Sequence, residues 1–462
     1  VLKLDRRQFL STASAFAMLP ASTSLAASAS VELNALVADI QLLPEGYGPT
    51  SIWGFDGTAP GPEIRLAQGS RLQRRLVNSL PEPTSIHWHG VRIDNAMDGV
   101  SGLTQNAVPS GETFEYDFVV RDAGTYWYHA HNKSFEQVAR GLSGALIIEE
   151  PDEVDVDREE VLILDDWLLD PDTAQIVGDF AAPHAMSHGG RIGNYITTNS
   201  VYNLALDARQ NERLRLRLIN ASNARIFPLR LDGLQGWTVA LDGMPLVKPL
   251  PITDTIVLGP AQRIDLIVDV VASEGETAHV VHLGQGDAFS QVAFEVRAGG
   301  AVKRRGVPSP LPPNALSMVD LGKARAMSLT MEGGAMGGLR SATLGGDSKS
   351  IGEIVDAGRF WAFNGAADGM DGPAFAELSQ GEHVRIAIAN DTVFPHAMHL
   401  HGMHFYEIGN DGNLGALRDT TLIERGDTRE IAFVADNPGK WLLHCHMLSH
   451  AASGMSTWID VA

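Results

Sequence analysis

The sequence predicts an all-β protein built as three consecutive β-sandwiches. Three observations carry that prediction. Beyond residue 30 the chain reads as short strand-like segments between Gly, Pro, Asn and Asp clusters, with no sustained helical period. One ten-residue spacing recurs three times, from Gln68 to Asn78, Gln210 to Asn220 and Gln380 to Asn390. Apolar residues recur inside it at Leu72 and Leu76, Leu214 and Leu218, and Val384 and Ile388. A further pair aligns position for position: Gly124-Thr-Tyr-Trp-Tyr-His129-Ala130-His131 with Gly439-Lys-Trp-Leu-Leu-His444-Cys445-His446.

Residues 1–29 read as an address. Asp5-Arg6-Arg7-Gln8-Phe9-Leu10 leads into a weakly apolar stretch and then Ala26-Ala27-Ser28-Ala29. Paired arginines, a modest apolar region and small residues before a cleavage point make a twin-arginine signal peptide. That predicts Tat export, by the twin-arginine translocation machinery, to the periplasm. The apolar run is too short and weak for a permanent anchor, and no other segment predicts an integral membrane span.

The repeats divide the rest. Residues 30–150 form a first domain, 151–305 a second, 306–325 a linker that includes the proline-rich Val307 to Pro313, and 326–462 a third. Within them Arg71–Asn78, Thr113–Val120, Arg213–Asn220, Arg263–Val270, His383–Asn390 and Arg429–Val434 are predicted strands. Most alternate apolar and polar residues, as half-buried antiparallel strands do.

Composition narrows the function. The 462 residues carry 56 acidic and 35 basic side chains, a formal charge of -21. A nucleic-acid partner needs a basic face, and so does an anionic membrane surface. A single cysteine forbids an internal disulfide, leaving inert core, nucleophile or metal ligand. The 16 histidines are bunched, with four in 87–131 and seven in 396–450.

Nine residues past the repeat asparagines the copies diverge. The first gives His87-Trp88-His89-Gly90 and the third His399-Leu400-His401-Gly402, whereas the middle one gives Leu229-Arg230-Leu231. Histidines two apart on a strand project to one side. The pairs His87/His89, His129/His131, His399/His401 and His444/His446 thus offer eight imidazoles, enough for two or three transition-metal ions. Cys445 lies between two of them and faces the other way. With His396, His450 and Met455 it makes the two-imidazole, thiolate and thioether set of a blue-copper electron-transfer site.

These stretches resemble the four copper signatures of multicopper oxidases: His87-Trp-His89-Gly, Tyr128-His129-Ala-His131, His396-Ala-Met-His399-Leu-His401-Gly, and His444-Cys445-His446-Met-Leu-Ser-His450 followed by Met455. The resemblance covers the whole chain beyond the signal and is nearest to bacterial three-domain, laccase-like or copper-resistance members. It implies cupredoxin-like Greek-key domains and four copper ions per chain. His396, Cys445, His450 and Met455 would hold type 1 copper, and His87 and His399 type 2. His89, His129 and His446 would hold one type 3 copper, and His131, His401 and His444 the other. It implies a monomeric oxidoreductase that couples one-electron oxidation of phenols or aromatic amines to four-electron reduction of dioxygen to water. Electrons would enter over an exposed edge of His450 and pass through Cys445. Asp98 matches the acidic residue the family places after the first histidine pair, as a proton donor, although a plain turn aspartate would look the same. No acid stands beside His450, whose neighbours are Ser449 and Ala451.

Two other readings stay open within this fold. One is a periplasmic cuprous oxidase serving copper tolerance, with Cu(I) as reductant. The other is a copper-free envelope scaffold, which the filled ligand positions disfavour. His404, His279, His282 and His383 read as structural. The segments His184-Ala-Met186-Ser-His188 and Met331-Glu-Gly-Gly-Ala-Met336 carry thioether and imidazole groups that suit weak Cu(I) binding, but they read as plain loops.

Overall fold

The computed structural model describes residues 30–284, 286–299 and 303–462. The predicted signal peptide, 1–29, lies outside the described residues. The ten-residue repeat becomes the strands Arg71–Asn78, Arg213–Asn220 and Glu382–Asn390. Each is entered through a left-handed residue that follows the repeat glutamine: Gly69, Asn211 and Gly381, with φ of 81, 63 and 85°. Glycine and asparagine tolerate that conformation best, which explains their recurrence there.

Each strand ends on a buried asparagine that clamps the next turn. Asn78 Oδ1 accepts from Leu80 N at 3.0 Å, while its Nδ2 donates to Glu82 O and Val108 O, both at 2.9 Å. Asn220 repeats the pattern with Ser222 N, Arg225 O and Leu258 O. Asn390 does so with Thr392 N, Phe394 O and Ile423 O. Every polar atom of the side chain is used, so no other residue fits.

Around these strands three sandwiches form, each of two facing sheets. In the first, Arg71–Asn78 lies between Val31–Ile40 and Thr113–Val119, and the facing sheet runs Gly61–Ala67, Ser143–Glu149, Gly124–Ala130, Ile86–His89. In the third, Glu382–Asn390 lies between Arg325–Gly333 and Thr428–Ala435, facing a sheet that contains Gly439–Cys445 beside His396–Leu400. Among the described residues helix is confined to short segments such as Ser134–Gln137, Pro183–Ser187, Ile351–Asp356 and Leu448–Ala452.

Two strand expectations need correction. The sheets are mixed: in each sandwich the opening strand runs parallel to the repeat strand, as Val31–Ile40 does to Arg71–Asn78. The middle sandwich also departs from half-burial. Arg213–Asn220 and Arg263–Val270 are buried along their whole length, arginines included. Arg213 pairs with Asp269 at 2.7 Å, Arg215 with Asp265 and Glu150 at 2.6 Å, and Arg217 with Glu159 at 2.9 Å. Alternation marks two faces of a strand but does not reveal that the polar face is covered by another sandwich. Arg217 Nη1 reaches Thr125 Oγ1 of the first sandwich at 2.9 Å.

Among the described residues, 303–324 contain no strand or helix, yet they are anchored. Asn314 donates to Ala123 O at 2.8 Å and accepts from Ala123 N at 2.9 Å.

Candidate metal centre

The first and third sandwiches meet along their histidine-bearing strands. His87 stands opposite His129 in one sheet, and His399 opposite His444 in the other. In three of the four pairs the second histidine falls just past the strand's last residue. All eight imidazoles still converge. His89 stacks on His399 with ring centroids 3.8 Å apart, and His87 lies 3.9 Å from His401. Groups of ring nitrogens within 4.8 Å of one another include His87, His89 and His129, then His87, His399 and His401, then His131, His401 and His444.

Burial drives His89, His129, His401, His444 and His446 far below the ordinary imidazole value, helped by neighbouring histidines. His131 falls to about 3 for the same reasons. Neutral imidazole is the form that binds metal.

The hydrogen bonds then decide which nitrogen is free. His444 Nδ1 faces Cys445 O at 2.9 Å, and His401 Nδ1 faces the Asp98 carboxylate at 3.0 Å. Both partners are acceptors, so each Nδ1 carries the proton and each Nε2 a lone pair. Those two Nε2 atoms face each other 3.1 Å apart. Two lone pairs at that distance repel unless a cation lies between them. His129 Nδ1 faces Ala130 O in the same way, so its Nε2, 3.4 Å from His446 Nε2, also carries a lone pair. The buried ring nitrogens His87 Nε2, His89 Nδ1, His131 Nε2, His399 Nε2 and His446 Nδ1 have no protein partner. Buried polar atoms rarely stay unpaired, so this donor set fits transition-metal ions well.

A second group lies on the far side of Cys445. Its Sγ is 3.5 Å from His396 Nδ1 and 3.8 Å from His450 Nδ1, and those two nitrogens are 3.2 Å apart. Thr392 Oγ1 has only acceptors for its own proton, at Asn390 Oδ1 and Phe394 O, so it accepts from His396 Nε2 at 2.8 Å. His450 Nε2 donates to His188 O at 2.6 Å. Both Nδ1 lone pairs therefore point at the thiol. Burial pushes Cys445 up to about 12, a cost that a soft cation at the sulfur would reverse. Met455 is fully buried in the same turn, its N bonded to His450 O at 2.9 Å.

Asp98 is fully buried. Its carbonyl accepts from His87 Nδ1 at 2.8 Å while its carboxylate holds His401 of the other sandwich. The next residue, Gly99, has φ of 85°, and a Cβ there would sit 1.8 Å from Ile86 O. Only glycine lets the Asp98 turn come this close.

Asp419 was not singled out from the sequence, and it mirrors Asp98. Its carbonyl accepts from His399 Nδ1 at 2.9 Å, while its carboxylate meets His89 Nε2 of the other sandwich at 3.2 Å. Burial opposes its charge, but Arg263 and His89 outweigh that and hold it well below the usual carboxylate range. Arg263, itself fully buried, grips both oxygens. An acid after each outer histidine pair was the available signal. The spacing is eleven residues from His87 but twenty from His399, so no motif repeats.

Two expectations about the entry side change. His450 has no exposed edge, being 0% accessible. The segment from His184 to His188 is not a free loop either. It forms the helical turn Pro183–Ser187, and His188 O caps His450. Trp361 packs against His450 with ring centroids 4.3 Å apart and tilted by 39°, and donates to Met186 O at 2.7 Å, locking the turn in place.

The remaining histidines lie elsewhere. His404 is packed behind Asp419, 3.6 Å from Oδ2. His279 bonds Ser290 Oγ, His383 accepts from Asp320 N, and His282 lies between Phe227 and Phe289.

Sandwiches that pool histidines at their junction and set a cysteine beyond it define a class, the cupredoxin-fold copper oxidoreductases. Multicopper oxidase family models match residues 37–153, 158–294 and 348–462. The structure resembles that of Lac15 from a marine microbial metagenome, with 40% identity, 94% of this chain and 100% of that one covered, and a TM-score of 0.76. It also resembles a multi-copper oxidase from Pseudomonas thermotolerans at 34% identity, 94% and 99% coverage and a TM-score of 0.80. Copper resistance protein A of Pseudomonas syringae pv. tomato is 28% identical over 588 residues, with 94% of each chain covered. The chain belongs to the multicopper oxidase family. It is an oxygen-using oxidoreductase that binds copper and takes electrons from a reductant. Among the described residues no helix is long and apolar enough to cross a membrane.

Proposed function

We propose that the chain binds four copper ions and couples one-electron oxidation of a small reductant to reduction of dioxygen to water. The observation that carries this reading is the facing pairs of imidazole lone pairs, 3.1 Å apart at His401 and His444 and 3.2 Å apart at His396 and His450. His396, Cys445, His450 and Met455 would hold type 1 copper. His87 and His399 would hold type 2. His89, His129 and His446, and His131, His401 and His444, would hold the type 3 pair. Bound copper supplies the one-electron chemistry that lets single-electron donors serve a four-electron acceptor.

The protein's own groups arrange the rest. Cys445 O accepts from His444 Nδ1, so one residue joins the sulfur site to the histidine cage through a short covalent and hydrogen-bonded path. Asp98 and Asp419 fix the tautomers of His401 and His89, each across the junction. Asp98 is also the buried acid placed to hold a proton beside His401 Nδ1 and His87 Nδ1. On the entry side, burial excludes water from His450 and Cys445.

Phenols and aromatic amines remain the first class of reductant to test, as for a laccase-like enzyme. The cover over His450 favours a second, Cu(I). We place the protein in the periplasm, exported as a monomer by the twin-arginine route, on the strength of Arg6-Arg7 and the Ala-rich stretch that follows. We set the domains at 30–150, 151–305 and 326–462, where the two histidine-bearing repeats flank the one without.

The test is oxygen uptake by copper-loaded protein with a methoxyphenol and with Cu(I), beside copper analysis. Four ions per chain, strong red absorption and uptake with either donor are expected. Two ions or fewer, or no uptake with both donors, would refute the reading.

A further inference from the structure

Outside both metal groups, the middle sandwich holds a recess of about 200 Å³. Its walls come from the strand Tyr195–Thr198 of one sheet, the turn that follows it, and the strands Thr277–Leu283 and Ala288–Val296 of the facing sheet. Three exposed apolar side chains gather there: Val201 at 46%, Tyr202 at 50% and Phe289 at 49%. Tyr202 stacks on Tyr195 with ring centroids 5.4 Å apart and planes 24° apart. Exposed apolar groups clustered round a concavity mark a binding surface. The turn is preformed. Asn199, Ser200 and Asn203 have φ of 52, 60 and 52°, a conformation that non-glycine residues keep only where their surroundings enforce it. Asn199 anchors the turn by accepting from Ile163 N at 2.8 Å and donating to Val161 O at 2.9 Å.

Most polar atoms round the recess are already used. Asn194 accepts from Leu169 N at 2.9 Å and donates to Leu169 O at 2.8 Å. Thr197 Oγ1 accepts from Trp167 Nε1 at 3.1 Å. Gln291 Nε2 donates to Thr198 Oγ1 at 2.8 Å, whose own proton goes to Gln291 O at 3.0 Å. Ser290 Oγ is bonded to His279 Nδ1 at 2.9 Å. Two buried atoms are left over, the Tyr195 hydroxyl and His282 Nδ1, and neither has a partner among the described residues. His282 is only 4% exposed, and burial together with Arg225 lowers it to about 4, so its ring is neutral. None of the described lining residues is an aspartate, glutamate, lysine or arginine.

We propose that this recess binds a neutral phenol, its ring against Tyr195, Tyr202 and Phe289 and its hydroxyl served by the Tyr195 hydroxyl and His282 Nδ1. The size fits, since an apolar cavity of about 150 Å³ takes one benzene ring. A phenol hydroxyl both donates and accepts, so it suits either atom whichever tautomer His282 adopts. A sugar brings more hydroxyls than the recess has unused partners, and a phenolate would meet no counter-charge. None of the described lining residues belongs to the first or third sandwich, so the phenol is not at Cys445 or His450. It is held as a ligand, with no bond made or broken. The site goes beyond the oxidase reading and does not rest on it.

The probe is 4-cyanophenol, an electron-poor phenol that resists one-electron oxidation, with benzonitrile as its partner lacking the hydroxyl. Each is titrated calorimetrically into copper-loaded protein under argon at about pH 6, where both the phenol and His282 are neutral. Wild type should bind one cyanophenol per chain, about fivefold or more tighter than benzonitrile, the worth of one neutral hydrogen bond. In Tyr195→Phe, which keeps the ring, and in His282→Phe that preference should shrink to about twofold or less. An unchanged thermal midpoint at this pH reports that Tyr195→Phe is folded. No cyanophenol binding by wild type, an undiminished preference in Tyr195→Phe, or tighter binding of a methyl glucoside would overturn the proposal. Failure of the oxidase reading shows separately, as absence of oxygen uptake with every donor, and leaves this titration decisive.

Discussion

Asp419→Asn separates two tasks of one buried carboxylate. Arg263 donates to its oxygens at 2.8 and 2.5 Å and otherwise meets carbonyl oxygens, the Tyr126 ring at 5.8 Å and the more distant Asp242 Oδ1 at 3.8 Å. An amide of the same size keeps the packing but leaves the guanidinium short of its nearest counter-charge. Removing one partner of a buried pair costs about 3–5 kcal/mol, and Asp242 should hold the loss near 3. At roughly 2–4 °C per kcal/mol for a unit of this size, the thermal midpoint should fall by about 6–12 °C. The same change weakens the contact to His89 Nε2 and should cost about tenfold to a hundredfold in copper affinity. Calorimetry of copper-stripped and copper-loaded protein, with copper counted per chain, reads both effects. Asp98→Asn is the control. Asp98 holds His401 but has no arginine partner, so it should lose copper affinity with a much smaller fall in midpoint. Equal shifts in the two variants, or an Asp419→Asn protein with an unchanged midpoint and full copper, would refute the division of labour.

Three further outcomes are expected. Cys445→Ser should abolish red absorption and turnover together while the histidine cage keeps its copper, and survival of either property would contradict the sulfur-site assignment. Met455→Leu should raise the potential of the copper that Cys445 would hold, because Met455 would supply it with a weak thioether ligand, and redox titration of the blue band checks it. His282 sits at about 4, lowered from 6.5 by burial and by Arg225. Its folded value is the lower one, so its contribution is full above 6.5 and is lost as pH falls through about 4. His282→Phe should flatten the midpoint-versus-pH curve there, and an identical slope would count against it.

The legible part of the structure was whatever repeats. The Gln-to-Asn spacing reported three sandwiches because an αL turn and an asparagine clamp each demand a particular residue. The histidine pairs reported the cage because strand geometry leaves them one side to face. What stayed hidden were features made by two segments far apart in the chain. Arg213, Arg215 and Arg217 look like a solvated strand face until Glu150, Glu159 and Asp265 close over them. Asp419 looks like any surface aspartate beside Arg418. The cover on His450 is invisible because it is a backbone carbonyl, and any residue at position 188 would supply that atom.

The middle sandwich has no ligand at Leu229, where its neighbours carry His87 and His399, yet both metal groups lean on it. Its Arg263 fixes Asp419, which in turn orients His89 and His399 from two different sandwiches. Its turn Pro183–Ser187 shuts water away from His450. The Asp98 and Asp419 contacts cross between the outer sandwiches in opposite directions, so neither half can present its histidines alone. The cage is therefore a product of docking, and the docking surface is what the ligand-free sandwich contributes. Full copper binding should appear only with all three sandwiches folded in one chain. An isolated 326–462 fragment could at most keep the Cys445 site, and that site would be open where His188 now covers it.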